Sequence, residues 1–455
     1  MTAERRMRLG TFLSSSGEHV GAWRHKDTPY QTRASFAQYL QSAKVAEEAL
    51  FDLILLGDVS PSNDAPVETL MYNAAIERLD PFMLASALAV TTKHVGLIPT
   101  GSASFEQPYH IARRIASLDH LSEGRGGWNC VTTANASMAL NFNQDSHLPP
   151  DQRYARAEEF VDVVMGLWDS WDDDAFTRDK ASGVYFRPDG LHVLNHKGAH
   201  FKVRGPLDHI RSRQGRPVVV QAGSSEAGRA LGARTADVVF TTHQTLSSAQ
   251  EFYLDIKQRA ARHGRNPDQV LILVALMPVI GSDKAAAQAK LDELDGLIPQ
   301  SVAVSRLAEY LGGIDLSAYS PDKPLPDDLP AARGMQSRRQ SLIDLGKRHG
   351  LTLAGLARKM AGTRGHWVVT GTSNDIADAM QEWFEGRGAD GFLLVPPRTP
   401  FSLEEFKAGV VPELQNRGLF RTAYQGNTLR ELLGLHHPKP GEWPGRTHVE
   451  FSDNS

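Results

Sequence analysis

Uninterrupted apolar runs that end in polar residues are the feature that most limits the fold of this chain. The runs "LILLGD" at 53–58 and "PVVVQAG" at 217–223 do not alternate between apolar and polar residues. Strands that are covered by helices on both faces have this pattern, and such strands belong to parallel sheets. Similar runs predict strands at 7–13, 52–56, 95–99, 127–132, 217–222, 237–241, 270–280, 367–370 and 391–395.

Amphipathic helical patterns separate these runs, and the alternation predicts a parallel α/β fold. An eight-stranded barrel and an open doubly wound sheet both have this alternation. No Gly-x-Gly-x-x-Gly motif follows a predicted strand, which disfavours an open sheet of the dinucleotide-binding type. We therefore predict a TIM-like (β/α)8 barrel.

The 455 residues exceed one ordinary domain, but barrels with insertions reach this size as a single unit. We predict one domain over 1–455 with two insertions. Residues 175–216 carry turn signals and short alternating runs, which indicate small strands or hairpins. Residues 299–345 are rich in Pro and Asp, which indicates a long irregular connection.

Charge and cysteine content exclude several classes of protein. Forty-nine Lys and Arg against 53 Asp and Glu give a net charge of −4, which does not indicate a nucleic-acid or membrane surface. No apolar run predicts a secretory signal or a membrane span. The single cysteine, Cys130, excludes an internal disulfide, so we expect a cytoplasmic protein. No Cys/His spacing predicts a metal site.

Polar residues follow the predicted strands, at the end of a barrel where active sites lie. These residues are Asp58, Thr100, Asn129, Gln221, Ser224, Ser225, Thr241, Thr242 and His243. One carboxylate and many hydroxyl groups at one rim predict a site for a large polar ligand. Such a site fits a cofactor better than a small metabolite.

The stretch "AGSSEAGR" at 222–229 predicts an anion site. Gly223 permits a turn, and Ser224 or Ser225 caps the helix that follows. Backbone N–H groups and hydroxyls at a helix N-terminus bind anions, most often phosphate. A plain N-cap serine without a ligand is the alternative. Tyr154 begins another helix and could reach the same rim, although such a tyrosine is more often a packing residue.

Together with these residues, four stretches resemble the luciferase-like flavin monooxygenases. They are "HVGAWRH" at 19–25, "LSEGRGGWNCVTT" at 121–133, "RYARAEEFVDVVMGLWDSWDDDA" at 153–175 and "PVVVQAGSSEAGR" at 217–229. The resemblance is to the branch that contains nitrilotriacetate, dibenzothiophene sulfone and long-chain alkane monooxygenases, and it covers nearly the whole chain. It implies a TIM-like barrel with insertions.

The resemblance implies reduced FMN as the cofactor, supplied by a separate NAD(P)H:FMN reductase. It assigns FMN contacts to Asp58, Thr100, Asn129, Tyr154 and Ser225, with Tyr154 and Ser225 on the phosphate side. The anion site predicted at 222–229 adds Ser224 to the expected FMN contacts.

One departure from the family stands before the Arg-Tyr pair. Relatives carry a second histidine where this chain has Pro150, which leaves His147 as the nearest imidazole.

A proton donor near the flavin is expected, because imidazole titrates in the range that general acid catalysis needs. His19, in the loop after the first strand, is our candidate, with a surface-loop histidine as the alternative. His243 is a weaker candidate.

The implied activity is oxygenation of a small organic substrate with reduced FMN and O2. The substrate class stays open among aminopolycarboxylates, organosulfur heterocycles and alkanes. The alternatives are a deazaflavin-dependent oxidoreductase on the same barrel and a flavin-binding protein without turnover. We also expect a homodimer or homotetramer. We expect 299–345 to act as a lid over the flavin, and packing of this segment against a neighbouring subunit is the alternative.

Overall fold

The computed structural model describes residues 5–29, 35–58, 67–72, 74–133, 135–326, 329–330 and 336–443. Nine parallel strands form one sheet, and all nine predicted strands are present. They are β1 (Arg8–Phe12), β2 (Leu53–Leu56), β3 (Gly96–Ser102), β4 (Gly127–Val131), β7 (Val218–Ala222), β8 (Val238–Thr241), β9 (Leu271–Ile280), β10 (Trp367–Gly371) and β11 (Gly391–Leu394). Two further strands, β5 (His196–Lys197) and β6 (Lys202–Val203), pair antiparallel.

Eight of the parallel strands close into a ring, in the order β1-β2-β3-β4-β7-β8-β9-β11 and back to β1. The predicted TIM-like barrel is therefore confirmed. β10 lies outside the ring. The first half of β9 pairs with β8 and β11, and its second half, from Leu276 to Ile280, pairs with β10.

Helices surround the ring. The α-helices are α1 (Phe36–Glu48), α2 (Val67–Leu70), α3 (Pro81–Ala89), α4 (Pro108–Leu121), α5 (Pro150–Trp168), α6 (Glu226–Thr235), α7 (Leu246–Arg262), α8 (Lys284–Gly296), α9 (Gln300–Tyr310), α10 (Gln336–Arg348), α11 (Leu353–Thr363), α12 (Ser373–Glu385), α13 (Phe401–Glu405), α14 (Val411–Asn416) and α15 (Leu429–Leu433). Short 3-10 helices lie at Ala22–Arg24, Ala74–Ile76, Ala136–Phe142, Pro188–Gly190 and Pro267–Gln269, and a π-helical turn lies at Phe406–Val410. Over the described residues, no helix combines the length and the apolar character that crossing a bilayer requires.

The two predicted insertions differ in structure. Residues 175–216 contain the β5–β6 pair, which Glu159 of α5 anchors by accepting hydrogen bonds from His196 Nε2 at 2.9 Å and Phe201 N at 2.8 Å. The expectation that 299–345 is irregular is wrong in part, because α9 and the start of α10 lie within it. Both helices pack with α11 around a separate apolar cluster, and burial of that cluster orders the segment.

The lid hypothesis for 299–345 stays a prediction. Residues 327, 328 and 331–335 of this segment lie outside the described residues.

Helix α15 closes the amino end of the barrel. Leu429 and Leu433 form one apolar cluster with interior residues of the strands, including Leu53 and Val218. The contact is close, since a Cβ added at Gly96 would lie 2.5 Å from Leu429 Cδ1. Because this end is filled by side chains, a ligand site belongs at the carboxyl ends of the strands.

A buried ion pair fixes α15 to the barrel. Arg430 Nη2 donates to Asp237 Oδ2 at 2.7 Å and Nη1 donates to Oδ1 at 3.2 Å. Asp237 Oδ2 also accepts from Val219 N at 2.9 Å. Burial alone would raise the pKa of Asp237, but Arg430, Arg216 and Arg265 outweigh it and hold that pKa below its usual value. The carboxylate therefore stays charged at neutral pH.

We expect Arg430→Met to lower the free energy of unfolding by about 3–5 kcal/mol, because it leaves the Asp237 carboxylate buried without its main partner. Urea denaturation at pH 7 measures this. The control is Arg213→Met, which removes an exposed contact to Glu123 at 3.5 Å and should cost about 0–1 kcal/mol. Equal losses in the two variants would show that the buried pair does not fix α15.

Candidate active site

Thr100 and Asn129 form a polar pair inside the barrel mouth. They are register partners on β3 and β4, and Asn129 Nδ2 donates to Thr100 Oγ1 at 2.9 Å. Trp128 points outward, where it packs against Phe160 and Trp168 of α5. Because side chains alternate along a strand, Asn129 points inward. Its Oδ1 atom is buried with no hydrogen-bond partner among the described residues, so it can accept a bond from a ligand.

Two aromatic rings form an apolar floor in the mouth. Phe12 at the end of β1 and Phe240 in β8 meet edge to face, with ring centroids 5.3 Å apart. Both pack against Ala275, Met277 and Val395. Above the sealed amino end, the barrel therefore offers an apolar surface flanked by the Thr100–Asn129 pair.

Tyr154 and Ser225 form a second polar pair. Ser225 Oγ donates to Tyr154 OH at 3.0 Å, and the same Oγ caps α6 by accepting from Gly228 N at 3.1 Å. Two glycines allow this approach, because a Cβ at Gly223 would lie 2.8 Å from Gly228 Cα. Ser224 and Ser225 are exposed, so the N-terminus of α6 is open to an anion.

Asp58 lies at the carboxyl end of β2 and is exposed at the rim. Surrounding protein raises the pKa of its carboxyl group by desolvation; Arg78 opposes the shift, and Asp80 and Glu106 add to it. The next residues along the chain, 59–66, lie outside the described residues. The structure therefore places Asp58 at the mouth, but among the described contacts this carboxylate accepts no hydrogen bond from Thr100 or Asn129.

Comparison with known proteins shows the family of this chain. The model of the family described as luciferase-like monooxygenase matches residues 7–391. N-acetyl-S-(2-succino)cysteine monooxygenase from Bacillus subtilis (strain 168) is 46% identical over 96% of this chain and 99% of its own length. Nitrilotriacetate monooxygenase component A from Aminobacter aminovorans is 43% identical over 96% of this chain and 98% of its own. This chain belongs to the luciferase-like monooxygenases.

A solved structure of a similar protein agrees with this fold. Riboflavin lyase, solved with modified FMN and riboflavin, superposes with a TM-score of 0.84 at 33% identity and covers 97% of this chain and 98% of its own. The predicted family, fold and enzyme class are confirmed: the chain is a monooxygenase.

His19, our candidate for the proton donor of this luciferase-like monooxygenase, is enclosed by protein. Its side chain has no exposed surface, its Nε2 lies 3.0 Å from Asp295 Oδ1, and its Nδ1 accepts from Gly21 N at 3.1 Å. Gly362 closes over the ring, since a Cβ there would lie 2.5 Å from Nε2. Both nitrogens thus hold the loop after β1 in place, and the catalytic role of His19 stays a prediction.

The other two histidines considered from the sequence are also held by protein. His243 Nε2 lies 3.0 Å from Thr241 Oγ1, its ring faces Phe252 of α7, and burial lowers its pKa to about 4. His147 Nε2 donates to Thr133 O at 2.6 Å. Pro150 is the first residue of α5.

His366 is a mouth residue that the sequence did not predict. Its ring centroid lies 6.5 Å from that of Phe12 and 6.4 Å from that of Phe240, and its Nδ1 lies 3.2 Å from Thr242 Oγ1. It precedes β10, whereas the barrel rule predicts site residues only after strands. The glycine at 365 indicates a turn in the sequence, but no local signal shows that this turn enters the mouth.

We expect Gly228→Ala to separate Tyr154 from Ser225. An added Cβ would lie 2.9 Å from Gly223 Cα and 3.0 Å from Tyr154 OH, and such overpacking costs about 1–3 kcal/mol. Thermal and urea denaturation measure the loss. Gly296→Ala is the matched control in α8, because nothing lies within 4 Å of its added Cβ. A Gly228→Ala variant as stable as this control would contradict the close packing.

Proposed function

We propose that this chain is a two-component monooxygenase that uses reduced FMN and O2 to oxygenate a small organic substrate. The observation that carries the proposal is the meeting of Tyr154 and Ser225 at the N-terminus of α6, within 3.0 Å of each other. Two hydroxyls and the positive end of a helix dipole suit one phosphate group. The sequence has no second motif for a pyrophosphate, which favours FMN over a dinucleotide.

The Thr100–Asn129 pair supports the same cofactor. An isoalloxazine ring has a polar edge, and the buried Asn129 Oδ1 offers an acceptor with no other partner among the described residues. Phe12 and Phe240 provide the apolar surface on which a flat ring can rest. In this proposal Ser224, Ser225 and Tyr154 hold the phosphate, and Asp58 lies at the rim of the same mouth.

When bound, reduced FMN supplies the two electrons by which one atom of O2 enters the substrate and the other leaves as water. The chain's own residues position the ring and exclude water. Phe12, Phe240, Met277 and Val395 keep the floor of the mouth apolar, and α15 seals the far end of the barrel. A dry site limits the side reaction in which O2 is reduced to hydrogen peroxide without oxygenating the substrate.

A separate NAD(P)H:FMN reductase is part of this proposal, because the sequence has no dinucleotide fingerprint after a strand. The relative named as a component A is consistent with it.

A homodimer or homotetramer is also proposed. Val67, Met71, Ile76, Met83 and Val90 are 60–73% exposed in the α2–α3 region, and they offer apolar surface that a second subunit can cover. A cytoplasmic location fits the unpaired Cys130.

We expect Ser225→Ala to weaken FMN binding by about 1–2 kcal/mol, the scale of a hydrogen bond to a charged group. Titration with FMN, followed by flavin fluorescence, measures the affinity. Thr245→Ala is the control, because Thr245 caps α7 after the neighbouring strand in the same way but has no partner tyrosine in the described contacts. If the Ser225 variant binds FMN as tightly as the control does, the phosphate lies elsewhere.

We expect the purified chain to leave NADH unoxidised, because reducing equivalents arrive on free reduced flavin. Absorbance at the NADH band measures this with and without an added flavin reductase. Substrate oxygenation should appear once the reductase supplies reduced FMN. NADH consumption by the chain alone would contradict the two-component assignment.

A further inference from the structure

A cavity of about 60 Å³ lies beside the carboxyl ends of β1 and β2, at the edge of the barrel mouth. Its lining includes Phe12, Glu18, Leu56, Arg78, Leu84 and Arg364. Phe12 also belongs to the apolar floor, so the cavity adjoins the candidate active site. One water molecule needs about 10–15 Å³ of such a cavity, so this cavity has room for a group of several heavy atoms.

The charged residues that line this cavity are two arginines and one glutamate, Arg78, Arg364 and Glu18. Within the lining, the two arginines exceed Glu18 by one positive charge, while Asp58, next to the lining residue Gly57, interacts with Arg78. The remaining wall is largely apolar, with Leu56 and Leu84 among its members. This combination suits a ligand that joins an anionic group to a hydrocarbon portion. The planar fork of a guanidinium matches the two oxygens of a carboxylate.

Arg364 is held in place before any ligand binds. Its Nη1 donates to Glu18 Oε2 at 2.7 Å, and the two side chains are 21% and 13% exposed. It ends α11 in a left-handed conformation, with φ of 54°, and Gly365 follows with φ of 73°. Residues other than glycine seldom adopt this conformation, and it persists only where the surroundings hold it.

Strand β8 and the residues after it hold this turn at the mouth. Gln244 Nε2 donates to Gly365 O at 2.7 Å, and Thr242 Oγ1 lies 3.2 Å from His366 Nδ1. The turn therefore brings Arg364 to the cavity and His366 to the apolar floor, although neither follows a barrel strand. The contacts from Thr242 and Gln244 therefore fix the direction from which both side chains reach the mouth.

We propose that this cavity binds a carboxylate group of the substrate through Arg364. The proposal rests on the proposed function and narrows it: the substrate is a carboxylic acid rather than a neutral sulfone or alkane. Its carboxylate lies between β1 and β2, and its hydrocarbon portion extends over Phe12 toward the flavin site. Glu18 orients the guanidinium, whose five N–H donors can serve more than one carboxylate.

Calorimetric titration of the full chain loaded with FMN tests this site. The probes are N-acetyl-S-(2-succino)cysteine and nitrilotriacetate, which carry carboxylates, and dibenzothiophene sulfone, which is neutral. We expect the carboxylate probes to bind more tightly than the sulfone. Arg364→Gln should weaken the carboxylate probes by about tenfold or more, since it removes a charged hydrogen-bond donor. Arg364→Lys, which keeps the charge and loses the fork, should bind them with intermediate affinity.

Arg358→Gln is the matched control, because Arg358 is an exposed arginine of the same helix that contacts Gln300. It should leave all affinities within about twofold, the scatter of a surface substitution. The proposal is overturned if the wild type binds the sulfone as tightly as the carboxylates. It is also overturned if the Arg364→Gln and Arg358→Gln variants bind the carboxylates equally well. FMN titration of the wild type and of each variant is a separate measurement. Failure of the wild type to bind FMN contradicts the proposed function, whereas unchanged carboxylate binding by the Arg364→Gln variant contradicts only the carboxylate site.

Discussion

Closure of the barrel at its amino end is the constraint on which the rest of this molecule depends. The Arg430–Asp237 ion pair holds α15 against the strand ends, and the leucines of α15 complete the packing of the barrel interior. The buried carboxylate of Asp237 is paired, because the Arg430 guanidinium and the backbone N–H of Val219 both donate hydrogen bonds to it. With this end filled, side chains that point inward near the other end are the ones that can meet a ligand.

Strand alternation and close glycine packing then decide which side chains reach the mouth. Trp128 takes the outward position on β4, which turns Asn129 inward toward Thr100. The Gly223–Gly228 contact brings the loop after β7 against the first turn of α6, and Ser225 meets Tyr154 there. Each polar pair joins residues from two separate elements, so the site exists only in the folded barrel.

The sequence predicted the strands and the residues that follow them, because both depend on local pattern and on a rule about barrels. Thr100 and Asn129 meet as expected, and so do Tyr154 and Ser225. The burial of His19 could not be predicted, since Asp295 and Gly362 come from distant helices. Helix α9 was missed because the Pro- and Asp-rich stretch after it dominated the composition of that segment.

Strand β9 extends beyond the ring, and its overhanging half carries β10. The segment between β9 and β10 therefore returns to the mouth on a strand that takes no part in closing the barrel. Substitutions in that segment can change residues at the mouth, such as Arg364 and His366, without breaking a hydrogen bond between the strands of the ring. The framework of the barrel and the lining of its mouth can therefore vary independently, which gives one barrel a physical route to different binding surfaces during evolution.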